Sequence, residues 1–492
     1  MTSKKEKLLL FIIFVICLAI RLAYITQKNL WFDEVFSWDL SIDSFYTILV
    51  RTSNDIHPPV YYYILKLWNI PFGDSVFSMR ALSALCSSLA IFYIYPISRR
   101  ILSPAASLIV LLLYCVSPLN LYYSQEVRMS AMNLLFNAAS VYYLLKLIDF
   151  KPELNTVFRN KYTYLYLLFT SLAIYTHYFS FFILITEILF IIYHYRKDLK
   201  PLKSFGLIYG ALLVIYAIWI PTFLSQITRG QSWRVSQNSI SQVFSEVLNF
   251  LKDISLGLYY HFTNLQNVEY ITYLLVFIIG ICTISLFLKK KSDAGDNKIL
   301  IISLVFIPIF LAMIISFNQR IEFYRYLSIL VPYIIIFIVY SLNKFNDKVI
   351  TAIFLILFGS VNIFGIYLHY NFDFKNDDYR VLVKTLNENY LEGERIYVEP
   401  HYNGWTINYI KQHENLRIPN AVDNRYGWDQ LMDSLNTQKP AQFWLVMDYS
   451  SVDTTKYPIY ISDLKALYEQ TYFQSFPDYP VRVDLYRFKM KQ

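Results

Sequence analysis

Charge is what this sequence has least of. Only 16% of its 492 residues are Asp, Glu, Lys or Arg, where a soluble domain carries about a quarter. Beside 56% apolar and 18% aromatic residues, that shortage excludes an ordinary soluble enzyme and places the chain in a membrane. Cysteine is also scarce: Cys17, Cys86, Cys115 and Cys282 all fall inside apolar runs, and none lies beyond residue 371. This argues against a disulfide framework or a cysteine-ligated zinc site. Ionisable groups are nearly missing at mid-membrane depth, where only Glu187 and Arg21 fall, whereas a transporter places its ligands there. The charge that is present is uneven. Residues 372–492 hold 14 Lys/Arg and 17 Asp/Glu, and residues 1–371 hold 30 and 19. The tail therefore reads as a water-exposed domain of net −3, and the rest as a membrane body of net +11. The overall +8 does not mean nucleic-acid binding, because the excess base lies in short loops beside apolar runs and reports orientation.

A helix needs about 20 apolar residues to cross the hydrocarbon. Runs of that kind read at 8–26, 78–97, 104–122, 129–148, 204–223, 270–288, 299–317, 326–342 and 348–368. The stretch 162–195 is too long for one crossing. Arg159 and Lys161 precede it and Arg196, Lys197, Lys200 and Lys203 follow it, so both ends are expected inside, with His177 at a tight outer turn. That gives eleven spans, an inside N-terminus and an outside tail. The first span follows a basic opening, but no small-residue cleavage site stands cleanly behind it, so it is read as retained.

Acids gather on the expected outer side, in loop 27–76 above all. That loop begins Trp31-Phe32-Asp33-Glu34-Val35-Phe36-Ser37-Trp38-Asp39. One reading is a juxtamembrane amphipathic helix with its aromatics in the interface belt. The other is a general base, desolvated by those aromatics. Further along, Asn54-Asp55-Ile56-His57-Pro58-Pro59-Val60 reads as a helix start capped by Asp55 or His57. The same end offers N–H groups to an anion and an imidazole to a phosphate or metal. Glu126 and Arg128, after Tyr122-Tyr123-Ser124-Gln125, read either as a local ion pair or as site residues. Arg320 and Arg325 fall on the outer side against the positive-inside tendency. Arginine suits a phosphate because its planar fork gives bidentate, charge-assisted hydrogen bonds.

W-F-D-E after the first span, H-P-P-V-Y-Y-Y-I-L-K-L-W, F-G-D-S-V-F-S-M-R-A-L-S-A-L, Y-Y-S-Q-E-V-R-M-S-A, T-H-Y-F and R-Y-L-S-I-L-V-P together resemble the bacterial glycosyltransferase family 39 proteins. That family belongs to the GT-C superfamily, with the protein O-mannosyltransferases and the lipid A aminoarabinose transferases. The resemblance covers nearly the whole membrane body, residues 1–371, and implies a polytopic α-helical GT-C fold there; the extracytoplasmic α/β domain, residues 372–492, is expected from the charge and patterning of the tail. It implies a polyprenyl-monophosphate sugar as donor and inverting transfer to an acceptor at the outer face of a bacterial cytoplasmic membrane. Asp33 falls at the family's catalytic or acceptor-orienting carboxylate, and Glu34 completes the pair. Glu126 and Arg128 match the Ser-Gln-Glu-x-Arg pattern, and Arg325 the arginine before the late span. With Arg320, His57 and His177 they are expected around donor phosphate and substrate. His57 stands where the aminoarabinose transferases carry an acid followed by lysine.

The chemistry agrees with the resemblance. A leaving phosphate monoester has its second pKa near about 6, so it departs without a general acid and needs cation or N–H stabilisation instead. One carboxylate and several bases would suffice; a divalent cation, held by Asp33 and His57, is left open as a cofactor. The partners expected are the lipid donor, membrane lipid and an acceptor that is a glycan, a lipid or a protein, with no nucleic acid. Residues 227–268, with Trp233 and the amphipathic stretch 240–251, read as a lid or a surface helix. In the tail, 377–389 and 403–412 read as helices and 395–399, 442–447 and 480–489 as strands. Its His401, Trp405 and Trp428 serve either carbohydrate stacking or the core. The competing functional class is a non-enzymatic lipid-linked sugar transporter or polysaccharide-assembly protein.

Overall fold

A computed structural model describes residues 4–228, 239–258, 295–318, 323–344, 348–371, 379–400, 403–421, 428–449, 456–476 and 482–491, with the isolated positions 270, 273, 280 and 321. Arg320, Trp233, His401, Cys282 and nearly all of the expected span 270–288 lie outside the described residues. The chain forms two compact units. One holds Met1–Ile25 and Ser41–Phe372, the other Thr26–Leu40 and Asp373–Gln492.

The larger unit is helical, as its apolar runs require. It opens with α1 (Lys4–Leu22), and α2 (Phe32–Ile42) lies mostly in the other unit. Then come α3 (Phe45–Asn54), α4 (Val60–Phe72), α5 (Val76–Leu89), α6 (Ile91–Ser98), α7 (Pro104–Cys115) and α8 (Pro118–Ser124). The middle consists of α9 (Ser130–Phe150), α10 (Lys161–Ile174), α11 (Ser180–His194), α12 (Lys200–Ala217), α13 (Ile220–Thr228) and α14 (Ile240–Leu256). After the undescribed region follow α15 (Asn297–Ser316), α16 (Phe323–Tyr326), α17 (Val331–Leu342) and α18 (Lys348–Asn371).

Among the described residues, four helices are long and apolar enough to cross a bilayer: Val76–Ser98, Ser130–Phe150, Asn297–Ser316 and Thr351–Asn371. The number rises to six if two bent pairs, Pro104–Cys115 with Pro118–Ser124 and Lys200–Ala217 with Ile220–Ile227, each make one span. This count is coarser than the eleven expected. The stretch 162–195 does divide into two helices, α10 and α11, with His177 in the turn between them.

The 57° bend between α7 and α8 has a local cause. Pro118 begins the second helix and cannot continue the first. The last carbonyls of α7 find a donor in Arg21, which is fully buried. Its guanidinium lies 3.4 Å from the carbonyls of both Tyr114 and Cys115, and its Nε donates to Ser87 Oγ at 2.9 Å. Gly365 of α18 allows a second close approach. A Cβ there would stand 2.5 Å from Pro118 Cγ and 2.9 Å from the Leu256 backbone, so α8, α14 and α18 meet only because it is glycine. The stretch 240–251 is indeed helical: α14 is capped by Ser239, whose Oγ accepts the Gln242 N–H at 3.2 Å, and its last turn, 253–256, is buried. Every residue of α17 is buried, as an all-apolar helix demands.

The smaller unit is α/β. α19 (Arg380–Asn389), β1 (Arg395–Glu399), α20 (Gly404–Glu414), α21 (Trp428–Gln438), β2 (Gln442–Asp448), α22 (Tyr457–Leu467), β3 (Tyr468–Phe476) and β4 (Val483–Met490) form it. The sheet order is β1-β2-β4-β3. β1 and β2 are parallel, with Tyr397 opposite Leu445, and β4 runs antiparallel to both its neighbours. Trp428 stacks on Tyr460 at 4.1 Å, so it serves the core. Trp405 of α20 stacks with Phe32 and Phe36 of α2, at 5.6 and 5.7 Å. Those two phenylalanines thus pack on protein, where the first loop had offered them to the membrane interface.

Candidate active site

Three chain turns and one short helix of the larger unit converge on a small recess, lined among others by His57, Arg128, Ser130, Asn133, His177 and Arg325. Each is held there by local hydrogen bonding.

At the end of α3 the Asp55 carboxylate accepts the N–H groups of Ile56 and His57, and Arg128 faces it; burial nevertheless raises its pKa above the usual carboxylate range. The expected side-chain cap of α4 is not made. The Val60 N–H instead donates to the Tyr175 carbonyl at 3.2 Å, tying this turn to the one before α11. His57 is buried and sits with its ring 5.4 Å from that of His177.

The turn between α8 and α9 presents Arg128. Its neighbour Gln125 donates to the carbonyls of Arg21 and Ala23, at 2.9 Å each, and meets His369 Nε2 at 2.7 Å. The Glu126 carbonyl accepts from Ser83 Oγ at 2.6 Å. With the backbone so fixed, Arg128 is buried, its Nη2 3.5 Å from His57 Nε2, and its charge acts on the Tyr62 hydroxyl. Glu126 is also buried but does not line the recess.

In the turn before α11, the Phe179 N–H donates to His177 Nδ1 at 3.2 Å. A neutral imidazole accepting there carries its proton on Nε2, so His177 is a donor on its other side. Ser180 anchors the turn to α9: its Oγ donates to Asn133 Oδ1 at 2.6 Å and accepts from Asn137 Nδ2 at 3.0 Å. From α16, Tyr326 stacks on Phe179 at 4.7 Å and brings in Arg325. Burial pulls the Arg325 pKa down, and Tyr326 opposes that; an arginine remains charged at any physiological pH.

Four of the expected donor-side residues, His57, Arg128, His177 and Arg325, are therefore together. Two permanent cations and two imidazoles lining one recess suit a phosphate in charge. Asn133 and Ser130 were missed by sequence reasoning. Their signal, two polar residues one helical turn apart at the start of an apolar helix, was present but does not by itself say which way they face. Asp33 and Glu34 belong to the other unit. Asp33 is half-buried at the start of α2. Glu34 is fully buried and accepts the Trp31 N–H at 3.3 Å, as a residue closing a helix N-terminus does. Among the described residues, no three His, Cys, Asp or Glu side chains gather as a metal ion requires.

Residues 56–221 match the family of dolichyl-phosphate-mannose-protein mannosyltransferases. No curated protein matches the chain in sequence. Among solved structures, ArnT from Cupriavidus metallidurans bound to undecaprenyl phosphate is similar at 11% identity, over 99% of this chain and 98% of that one, with a TM-score of 0.54. The archaeal oligosaccharyltransferase AglB from Archaeoglobus fulgidus, in complex with an inhibitory peptide and a dolichol-phosphate, is similar at 12% identity over 96% of this chain and 73% of that one, with a TM-score of 0.53. The fold is that of the GT-C glycosyltransferases, and the chain resembles the protein mannosyltransferase and ArnT branch of that superfamily, through residues 56–221 in sequence and over its whole length in fold.

Proposed function

We propose that this protein is an inverting glycosyltransferase that takes a sugar from a polyprenyl phosphate and delivers it to an acceptor at the outer face of a bacterial cytoplasmic membrane. The observation that carries the reading is the convergence of His57, Arg128, His177 and Arg325 on one recess. The donor phosphate binds there, and the prenyl chain stays among the apolar helices, so a very apolar reactant never enters water.

In the reaction an acceptor oxygen attacks the anomeric carbon as the bond from that carbon to the phosphate oxygen breaks. The electron pair leaves with polyprenyl phosphate. The acceptor proton passes to a carboxylate, for which the sequence nominates Asp33. Arg128 and Arg325 meet the charge that develops on the leaving phosphate, which is where electrostatic stabilisation is worth most. The C-terminal domain lies on the outer side in this reading.

The test is purified protein with labelled polyprenyl-phosphate sugars in nanodiscs. Release of polyprenyl phosphate that depends on an acceptor is expected, and Asp33→Asn should lower kcat by about 100-fold or more. Full activity in Asp33→Asn would remove it as the base. No release with any sugar or acceptor would sink the transferase reading.

A further inference from the structure

A second basic recess lies at the far end of α17 from the first. Ile329, just before α17, lines the donor-side recess, while Asn343 and Lys344, just after it, line the other. Twelve helical residues separate the two ends, about 18 Å at 1.5 Å per residue. This open recess offers about 350 Å3, and Arg99, Arg100, Ile101, Leu102 and Tyr340 complete its wall.

Its side chains are positioned as a receptor for an anion. Arg99 Nη1 donates to the Leu102 carbonyl at 2.6 Å, which folds the guanidinium back over the turn between α6 and α7. Arg100 is paired with Asp149 and also reaches the Leu145 carbonyl at 3.3 Å. Lys344 Nζ lies 5.4 Å from the centre of the Tyr340 ring. Tyr340 provides the independent sign of a ligand. It is 3% exposed, it lines the recess, and among the described residues its buried hydroxyl has no hydrogen-bond partner. A buried donor left unmade costs about 1–3 kcal/mol, and a phosphate oxygen in the recess would relieve it.

We propose that this recess binds the phosphate headgroup of an anionic membrane phospholipid. The bases, the Tyr340 hydroxyl and the Asn343 amide meet the phosphate. Acyl chains continue over apolar surface such as the exposed Phe92, two turns back along α6. Basic pockets between membrane helices suit such headgroups, at about 1 kcal/mol per Lys or Arg. The recess does not depend on the donor site, so the proposal stands or falls apart from the transferase reading.

The experiment is native mass spectrometry and lipid titration of the full chain in phosphatidylcholine nanodiscs carrying increasing phosphatidylglycerol. The native chain should retain phosphatidylglycerol in preference to phosphatidylcholine. Arg99→Ala with Lys344→Ala should weaken that retention about twentyfold. Tyr340→Phe should weaken it about fivefold without lowering the melting temperature, since its hydroxyl bonds none of the described residues; if the double variant misfolds, this one decides. Equal retention of the two lipids, or a Tyr340→Phe chain that binds phosphatidylglycerol as the native one does, would overturn the proposal. Displacement of the lipid by an equal concentration of inorganic phosphate would overturn it as well, because the recess would then be a site for the free ion.

Discussion

Arg128 is the residue on which the donor recess turns. It faces Asp55 and Tyr62 and approaches His57, so removing it withdraws a cation from the recess and one of the two arginine charges that act on Asp55. Arg128→Ala should raise the donor KM at least about tenfold, the worth of a charged hydrogen bond, with a smaller effect on acceptor KM; steady-state kinetics with both substrates checks this. Arg128→Lys should recover little of the loss, because an ammonium lacks the fork. Glu399 in β1 makes a different kind of prediction. Burial pushes its carboxyl up to about 7, so the folded state holds the proton more tightly than the unfolded one. Its contribution is then full below the unfolded value, near about 4.3, and is lost as pH rises through about 7. Hydrogen-exchange protection of the β1 amides, corrected for intrinsic rate, should fall between pH 5 and 8 in the native chain, and Glu399→Gln should flatten that fall. Arg128 and His57 could be read from the sequence because they stand in unusual polar strings. Asn133 and Ser180 could not, since a polar side chain on an apolar helix points in a direction fixed only by its neighbours.

Helices meet where side chains allow it, and the junction of α8, α14 and α18 is one such point. Gly365→Ala would drive a methyl into Pro118 and the Leu256 backbone. Overpacking of this kind costs about 1–3 kcal/mol, and the expected outcome is a lower melting temperature in detergent with a normal far-UV spectrum. Arg21→Met should be as damaging, because the α7 carbonyls at the bend would lose their donor in an apolar setting that offers no water. Neither junction is visible in a hydropathy profile, which reports that a segment is apolar but not what it touches. The same limit explains the rest of the element-scale record. The pair α10 and α11 was legible because bases flank a run too long for one crossing. The tail's β1, β2 and β4 were legible from their apolar or alternating runs. β3 was not, because its residues alternate between exposed and half-buried in a pattern rich in Tyr and Gln. The expected cap on α4 failed because its amide found a carbonyl from a distant turn.

At the scale of the whole chain, sequence order and spatial grouping part company at residues 26–40. These follow the first helix, and both composition and hydropathy assign them to the membrane body. Their contacts assign them to the C-terminal unit. Phe32 and Phe36 stack on Trp405, Trp38 packs edge-on against Tyr409 at 5.0 Å, and Arg380 donates to the Gln27 carbonyl at 2.8 Å. Trp405→Ala should loosen α2, raising hydrogen exchange of its amides at least about tenfold, because aromatic contacts of this size are worth 1 kcal/mol or more each, on the order of 0.5–1.5 beyond burial. If α2 carries the proposed base, kcat should fall with it while donor KM holds. No local pattern could have revealed this grouping, since the partners are separated by most of the chain. It sets a rule for exchanging parts between related proteins. A C-terminal domain moved alone into another GT-C body would arrive with Trp405 facing foreign aromatics, so a working hybrid must carry residues 26–40 from the same parent, as two grafts rather than one.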